Sequence, residues 1–336
     1  METGQFSIQK QFLRKIEDVI PSCNSLVGEL SDLLEISADS AYRRIRGETL
    51  LTIDEITKLC KQFRVSFDAF DMPESGSVTF QYTRMNSEEV NFETFLQSIL
   101  SDLKKIIASK ERQIFYASED IPVFQNYNYP ELAAFKIFYW MKSIMIVPDM
   151  EKEKFKLSQV PENLKILGKQ IFDLYSQIPS IEIWTDTTIH STLKQILFYW
   201  ESGMFKTPDD AVLVCQALRR ELETIQQQAE TGKKFLRGDK NLGTGADYVV
   251  YHSDIEITNN CVLVNMGDAR IVYLGHQSFN SMSTSNTTYC FETQKWFDNI
   301  IRKSTLISGV SEKLRYQFFQ KALKQIDELE DLIRRR

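Results

Sequence analysis

Apolar residues recur at every third or fourth position through the first 70 residues, in short runs broken by polar ones. In "FSIQKQFLRKIEDVI", Ile8, Phe12, Ile16 and Ile20 form one stripe, which predicts a helix that stops at Pro21. "PSCNS" is a polar break in which Asn24 or Ser25 is available as the next N-cap. "LVGELSDLLEI" then places Leu26, Leu30, Leu33 and Leu34 on one face. Ser37 is placed to cap a third helix, "ADSAYRRIRG", which Gly47 ends as a C′ glycine. Thr52 caps a fourth, "IDEITKLCKQF", and Glu55 three residues later completes a capping box. Ile53, Ile56, Leu59, Cys60 and Phe63 are its expected apolar face, and "VSFDAF" reads as a last helical turn.

The pattern changes in the polar stretch 71–89, "DMPESGSVTFQYTRMNSEE", which holds a short strand candidate. It divides the chain into residues 1–72, a linker 73–88 and residues 89–336. Beyond it, Phe92, Phe95, Ile99, Leu103 and Ile106 have helical spacing, and "RQIFYAS" and "SIEIWTD" read as strands. Helices are expected over 129–145, 161–177 and in "TTIHSTLKQILFYWESG" and "PDDAVLVCQALRRELETIQQQAE". Two fragments echo each other, "FKIFYWMKS" and "LKQILFYWESG"; their Phe138, Tyr139, Trp140, Phe198, Tyr199 and Trp200 are expected in the core first and as a pocket wall second. From Tyr248 the alternation of short runs predicts a β-meander of about 248–252, 261–266 and 270–274. "SFNSMSTSN" reads as a solvated hairpin end, with the lining of a small-molecule site as the alternative. The chain closes with an amphipathic helix, "YCFETQKWFDNIIRKSTLI", and a long one in which Leu314, Phe318, Leu323, Ile326, Leu329 and Ile333 form a packing or pairing seam. The predicted fold class is multidomain: an all-α N-terminal domain followed by a mostly helical α/β region.

Composition narrows this little. The 336 residues carry a formal charge of −6, which excludes a generally basic nucleic-acid binder and leaves only a local patch. Five scattered cysteines (Cys23, Cys60, Cys215, Cys261, Cys290) with no C-x-x-C suit free thiols in a reducing cytoplasm. The start has no signal-peptide core, and the longest apolar run, 132–147, is shorter than a membrane span and contains Lys136 and Lys142. A cytoplasmic protein with no membrane partner is expected.

The local patch is "SADSAYRRIRGE", with three arginines in twelve residues. Around it, "ELSDLLEISADSAYRRIRGETLLTIDEITKLCKQFRVSFDAF" resembles the phage-repressor and Cro-like helix-turn-helix family in order and spacing: a leucine-rich helix, a three-residue turn ending in Ser37, a recognition helix, Gly47 and a further helix. Glu35 stands where the family often has Gly, and Tyr42 is unusually bulky. The resemblance implies double-stranded DNA as partner. With Ala41 and Ile45 inward, Ser37, Asp39, Ser40, Tyr42, Arg43 and Arg46 face or flank the groove, with Arg43 and Arg46 suited to bases. Arg44, Lys61 and Arg64 are cast as phosphate contacts. The first 70 residues nevertheless hold nine Lys/Arg against eleven Asp/Glu, which implies weak non-specific binding and a homodimer on paired half-sites.

Candidate chemistry elsewhere is thin. "VLVNMGDARIVYLGHQSFNSMS" with a later Glu is similar to half of a phospholipase D-like domain, with Gly275, Asn280 and Glu292 at the matching places. The family's His and Lys, two apart on the preceding strand, have no counterpart, because His252 lacks a following lysine and lies too early. His190, His252 and His276 lack metal-ligand spacing, and "GDKNLGTGAD" lacks the ending of a phosphate loop. No catalytic set, cofactor or metal is expected. The chain reads as a sequence-specific transcriptional regulator whose C-terminal region senses a small-molecule effector or mediates dimerisation. The rival readings are an adaptor or antitoxin-like module, and an enzyme of phospholipase D-like fold with an appended helix-turn-helix.

Overall fold

The computed structural model describes residues 7–20, 25–63, 65, 77–82, 92–237 and 245–335. The chain divides into two compact units, Met1–Phe80 and Gln81–Arg336. Cys23, Asn24, Arg64, most of "VSFDAF" and most of the expected linker lie outside the described residues.

Among the described residues the first unit has four short helices, α1 (Ile8–Val19), α2 (Leu26–Leu34), α3 (Ala38–Arg46) and α4 (Ile53–Phe63). Local chemistry sets their ends. Ser7, Ser25 and Ser37 accept from the backbone N–H three residues on, at Lys10, Gly28 and Ser40. Thr52 and Glu55 form the reciprocal box: Thr52 N donates to Glu55 Oε2 at 2.8 Å and Glu55 N to Thr52 Oγ1 at 3.2 Å. Phe12, Leu13, Ile16, Leu26, Leu30, Leu34, Ala41, Leu59 and Val65 make one core. Glu35 ends α2 in the left-handed region at φ 56°, and Ile36 N returns to Ser31 O. A side chain in that conformation costs about 1 kcal/mol that glycine avoids. Ile53 departs from its expected place: it is the first residue of α4, beyond the edge of the core, and is 82% exposed.

The second unit is built on a mixed eight-stranded sheet. Its strands are β1 (Gln81–Tyr82), β2 (Arg112–Ala117), β3 (Ser180–Trp184), β4 (Tyr248–His252), β5 (Cys261–Met266), β6 (Ala269–His276), β7 (Asn280–Thr284) and β8 (Thr305–Leu306), in the order β1-β7-β6-β5-β2-β3-β4-β8. β2, β3 and β4 are parallel neighbours and every other pairing is antiparallel. Parallel neighbours need long crossovers. These are supplied by α6 (Pro130–Tyr139) with α7 (Glu162–Tyr175), then by α8 (His190–Glu201) with α9 (Pro208–Thr231). α5 (Phe92–Ala108), α10 (Thr287–Lys303) and α11 (Glu312–Arg334) complete the unit.

The meander starts one strand later than its alternation suggested. β4 leaves it to lie parallel against β3; its "YVVYH" has the near-continuous apolar character of an interior parallel strand. The vacated place is taken by β7, from the stretch read as a hairpin end, and β1 pairs with the outer edge of β7. The expected linker therefore contributes β1 to the sheet. The expected 129–145 helix changes pitch within itself, since α6 continues as a π-turn over Trp140–Ile144.

Alternation along the strands sorts two cores. Ile114, Tyr116, Trp184, Tyr248 and Val264 face α5 to α9 and α11, while Phe115, Ile183, Leu263 and Val272 face Phe297 and Ile300 of α10. The α11 seam is filled from within: Phe318, Leu323, Ile326, Leu329 and Ile333 are buried, and α11 runs antiparallel to α9 with Arg219–Asp327 at 3.1 Å and Gln216–Glu330 at 3.3 Å. Leu314 lies outside the buried seam. No helix among the described residues is long and apolar enough to cross a membrane.

The larger core holds ionisable side chains. Glu182 of β3 is fully buried and accepts from Tyr175 Oη, Tyr248 Oη (2.8 Å) and Trp184 Nε1 (2.9 Å). Lys234 donates to the carbonyls of Tyr175 (3.1 Å) and Ile178 (2.8 Å), its Nζ 3.3 Å from the centre of the Tyr175 ring. Glu221 of α9 accepts from Asn128 Nδ2 at 2.9 Å, and burial pushes its carboxyl up to about 8, Asn128 working against the rise and Glu182 adding to it. A carboxyl raised in the folded state stabilises the fold below its ordinary value near 4.5 and loses that contribution as pH climbs from there through about 8. Glu221→Gln keeps a partner for Asn128 without the charge. Its melting temperature is expected to stay flatter than that of the wild type between about pH 5 and 9, with the larger relative gain at the alkaline end. Parallel pH profiles would contradict the assignment.

Candidate nucleic-acid interface

α3 has nine residues, and its roll decides which of them can meet a partner. Ala41 is fully buried and Ile45 half-buried, as the spacing suggested. Asp39, Tyr42, Arg43 and Arg46 follow at i, i+3, i+4 and i+7, one stripe on the opposite side, and all four are exposed. Tyr42 is 52% exposed despite its size. Ser37 and Ser40 sit at the start of the helix, where Ser37 Oγ accepts from Ser40 N at 3.2 Å and lies 3.1 Å from Ser40 Oγ. Lys61 is exposed on α4.

The three arginines of α3 have separate environments. Arg43 Nε lies 3.2 Å from Asp39 Oδ2, and Arg46 Nε lies 3.2 Å from Glu48 Oε1, both pairs well exposed. Arg44 points the other way. Its Nη2 donates to Glu55 Oε1 at 2.7 Å and its Nη1 to Ser40 O at 3.3 Å, with only 14% and 16% of the two paired side chains exposed. Arg44, read in the sequence as a phosphate contact, thus ties α3 to α4. Burial raises the Glu55 carboxyl, but hydrogen bonds from Arg44 and from the Thr52 backbone outweigh it and hold the group below its ordinary value.

Gln9 of α1 completes the frame, and no local pattern in the sequence marks it. Its Nε2 donates to Arg44 O and Thr49 O, both at 2.8 Å, and its Oε1 accepts from Leu51 N at 2.9 Å. One amide therefore satisfies the end of α3 and the loop that follows it. The only hint in the sequence is a polar residue set between the apolar positions Ile8 and Phe12. The loop itself presents Leu50 to solvent, as the start of α4 presents Ile53.

The other sequence candidates lie in the second unit. Phe138, Trp140 and Tyr199 are buried; Phe138 and Tyr199 pack ring against ring with Phe135, Phe155 and Phe205, so these aromatics form core. Tyr139 and Trp200 are partly buried against the same core, and Phe198 is exposed. Gly275 lies on β6, Asn280 on β7 and Glu292 on α10, while β5 before them, "CVLVNM", contains neither His nor Lys. His252 Nε2 stands 3.2 Å from Asp186, which also pairs with Lys321. Among the described residues no group of three or more His, Cys, Asp or Glu is placed to hold a metal ion.

Neither protein-family models, nor curated proteins, nor solved structures give a match to this chain.

The Arg44–Glu55 pair and the surface pairs should separate in a melt. Glu55→Ala removes both the box acceptor and the partner of Arg44, and a loss of about 1–3 kcal/mol is expected. Arg46→Ala, at an exposed pair, should stay within about 0.5 kcal/mol of wild type. Equal losses would mean that Glu55 is not the tie between α3 and α4.

Proposed function

We propose that residues 1–80 bind duplex DNA sequence-specifically, with α3 in the major groove, and that the chain is a transcriptional regulator. The observation that carries this reading is the exposed stripe of Asp39, Tyr42, Arg43 and Arg46, set on a helix whose roll is fixed by Ala41 on one side and Arg44–Glu55 on another. Arginine on such a face can meet guanine with two parallel N–H groups, and tyrosine can meet a thymine methyl or a phosphate. Ser37 and Ser40 at the helix start suit either bases or backbone. Lys61 supplies a phosphate contact, and Arg44 acts through the fold rather than by touching DNA.

One unit of this size covers a single half-site, so two copies on half-sites about one helical turn apart belong to the same reading. The α11 seam is already occupied by α9 and does not supply the contact between copies. The second unit then serves as the regulatory or dimerising part, by surfaces other than that seam. Charge balance in the first unit implies that non-specific binding is weak and that selectivity comes from base contacts.

Selection of duplexes from a random pool by the full chain tests the reading. An enriched motif is expected. Arg43→Ala should relax preference at one position by roughly 1–3 kcal/mol. Lys61→Ala should weaken all sequences alike and lower the salt slope by about 1. Uniform, equal losses from both variants would overturn the assigned roles, and the absence of any enriched motif would overturn DNA recognition.

A further inference from the structure

Both outward arginines of α3 stand beside a carboxylate, and in both pairs the nearest approach is at Nε: Arg43 to Asp39 and Arg46 to Glu48, each at 3.2 Å. An ion pair on the Nε side of a guanidinium leaves its Nη1–Nη2 edge to offer. That edge is a planar fork of parallel donors, the shape that pairs with guanine O6 and N7. The carboxylate also cancels most of the net charge of the arginine. Phosphate contacts draw on net charge and counterion release, so a carboxylate alongside weakens them. The groove edge of guanine is uncharged and needs only the fork.

On the DNA-binding reading above, we infer that Arg43 and Arg46 read guanine rather than phosphate, and that Asp39 and Glu48 are positioning residues that aim them. The partner is then duplex DNA with guanine in the major groove of each half-site. In the free protein the pairs are open to water, with side chains 58% and 71% exposed for Arg43 and Asp39 and 58% and 52% for Arg46 and Glu48, and there they contribute little to stability. Docking in the groove removes that water, and each carboxylate then fixes the direction of its arginine more strongly. Asp39 and Glu48 also repel the DNA backbone of every sequence alike. They therefore lower affinity for random DNA while raising discrimination, two effects of opposite sign that a purely structural role would not produce.

The test uses the full chain and the duplex that the wild type enriches from a random pool. Two quantities are read: affinity for random duplex, and the loss on replacing the enriched guanine by 7-deazaguanine, which lacks the N7 acceptor. The wild type is expected to lose roughly tenfold on that replacement. Asp39→Asn should lose most of this discrimination and bind random duplex a few-fold more tightly, roughly as expected for one anion removed. Asp39→Glu should restore part of the discrimination. Arg43→Lys should keep affinity for random duplex and lose the discrimination. Melting temperatures of the variants, at exposed positions, should match the wild type and exclude misfolding as the cause. An enriched site without guanine, or an Asp39→Asn variant that discriminates like the wild type, would overturn the inference and leave DNA recognition standing. Failure to enrich any duplex would overturn the DNA-binding reading itself, and this inference with it.

Discussion

α3 carries three arginines on nine residues, and only one of them is taken out of water. Burying Arg44 against Glu55 fixes the rotation of the helix about its axis, because the stem of Arg44 and the methyl of Ala41 must both lie inward. The face that α3 leaves to solvent follows from that rotation. Asp39, Tyr42, Arg43 and Arg46 are left as an outward stripe, and the loop after Gly47 is set by Gln9 reaching across from α1. A partly buried ion pair carries a desolvation cost, which here is offset by using both oxygens of Glu55: one on Arg44, the other on the Thr52 N–H.

The second unit meets a different constraint. Its parallel strands β2, β3 and β4 pack against helices, so an ionisable side chain on their buried faces must find partners inside. Glu182 does so with two tyrosines and a tryptophan, and Lys234 lies over one of those tyrosines while donating to two carbonyls. Such a network favours one packing, since three donors from β3, β4 and the end of α7 must converge on a single carboxylate. The buried aromatics and the α11 seam are engaged in the same core. On the proposed reading, the regulatory surfaces of this unit therefore lie elsewhere.

The helices of the first unit were legible because their signals are local: a capping serine, a C′ glycine and the Thr52–Glu55 box each act within about one turn. Arg44–Glu55 spans eleven residues and Gln9–Leu51 forty-two, and nothing in a local pattern marks either. The outward stripe was legible only as far as Ala41 and Ile45 were recognised as core. In the second unit the strands were visible but their partners were not. "YVVYH" and "CVLVNM" look alike in sequence, yet one lies parallel to β3 and the other antiparallel to β2. β7 has no strand signature in the sequence because "NSMST" is polar on a strand near the sheet edge. Glu182 sits between Ile181 and Ile183, and alternation alone assigns it to solvent; helices cover that face as well.

On the proposed reading, Arg43 and Arg46 are presented to DNA while Arg44 is held within the fold. Residue-resolved modification by an arginine-specific dicarbonyl reagent, with and without the enriched duplex, separates the three. Arg43 and Arg46 should react in the free protein and be protected by the duplex, and Arg44 should remain unreactive in both states. Undiminished labelling of Arg43 and Arg46 with duplex bound, or ready labelling of Arg44 in the free protein, would contradict it.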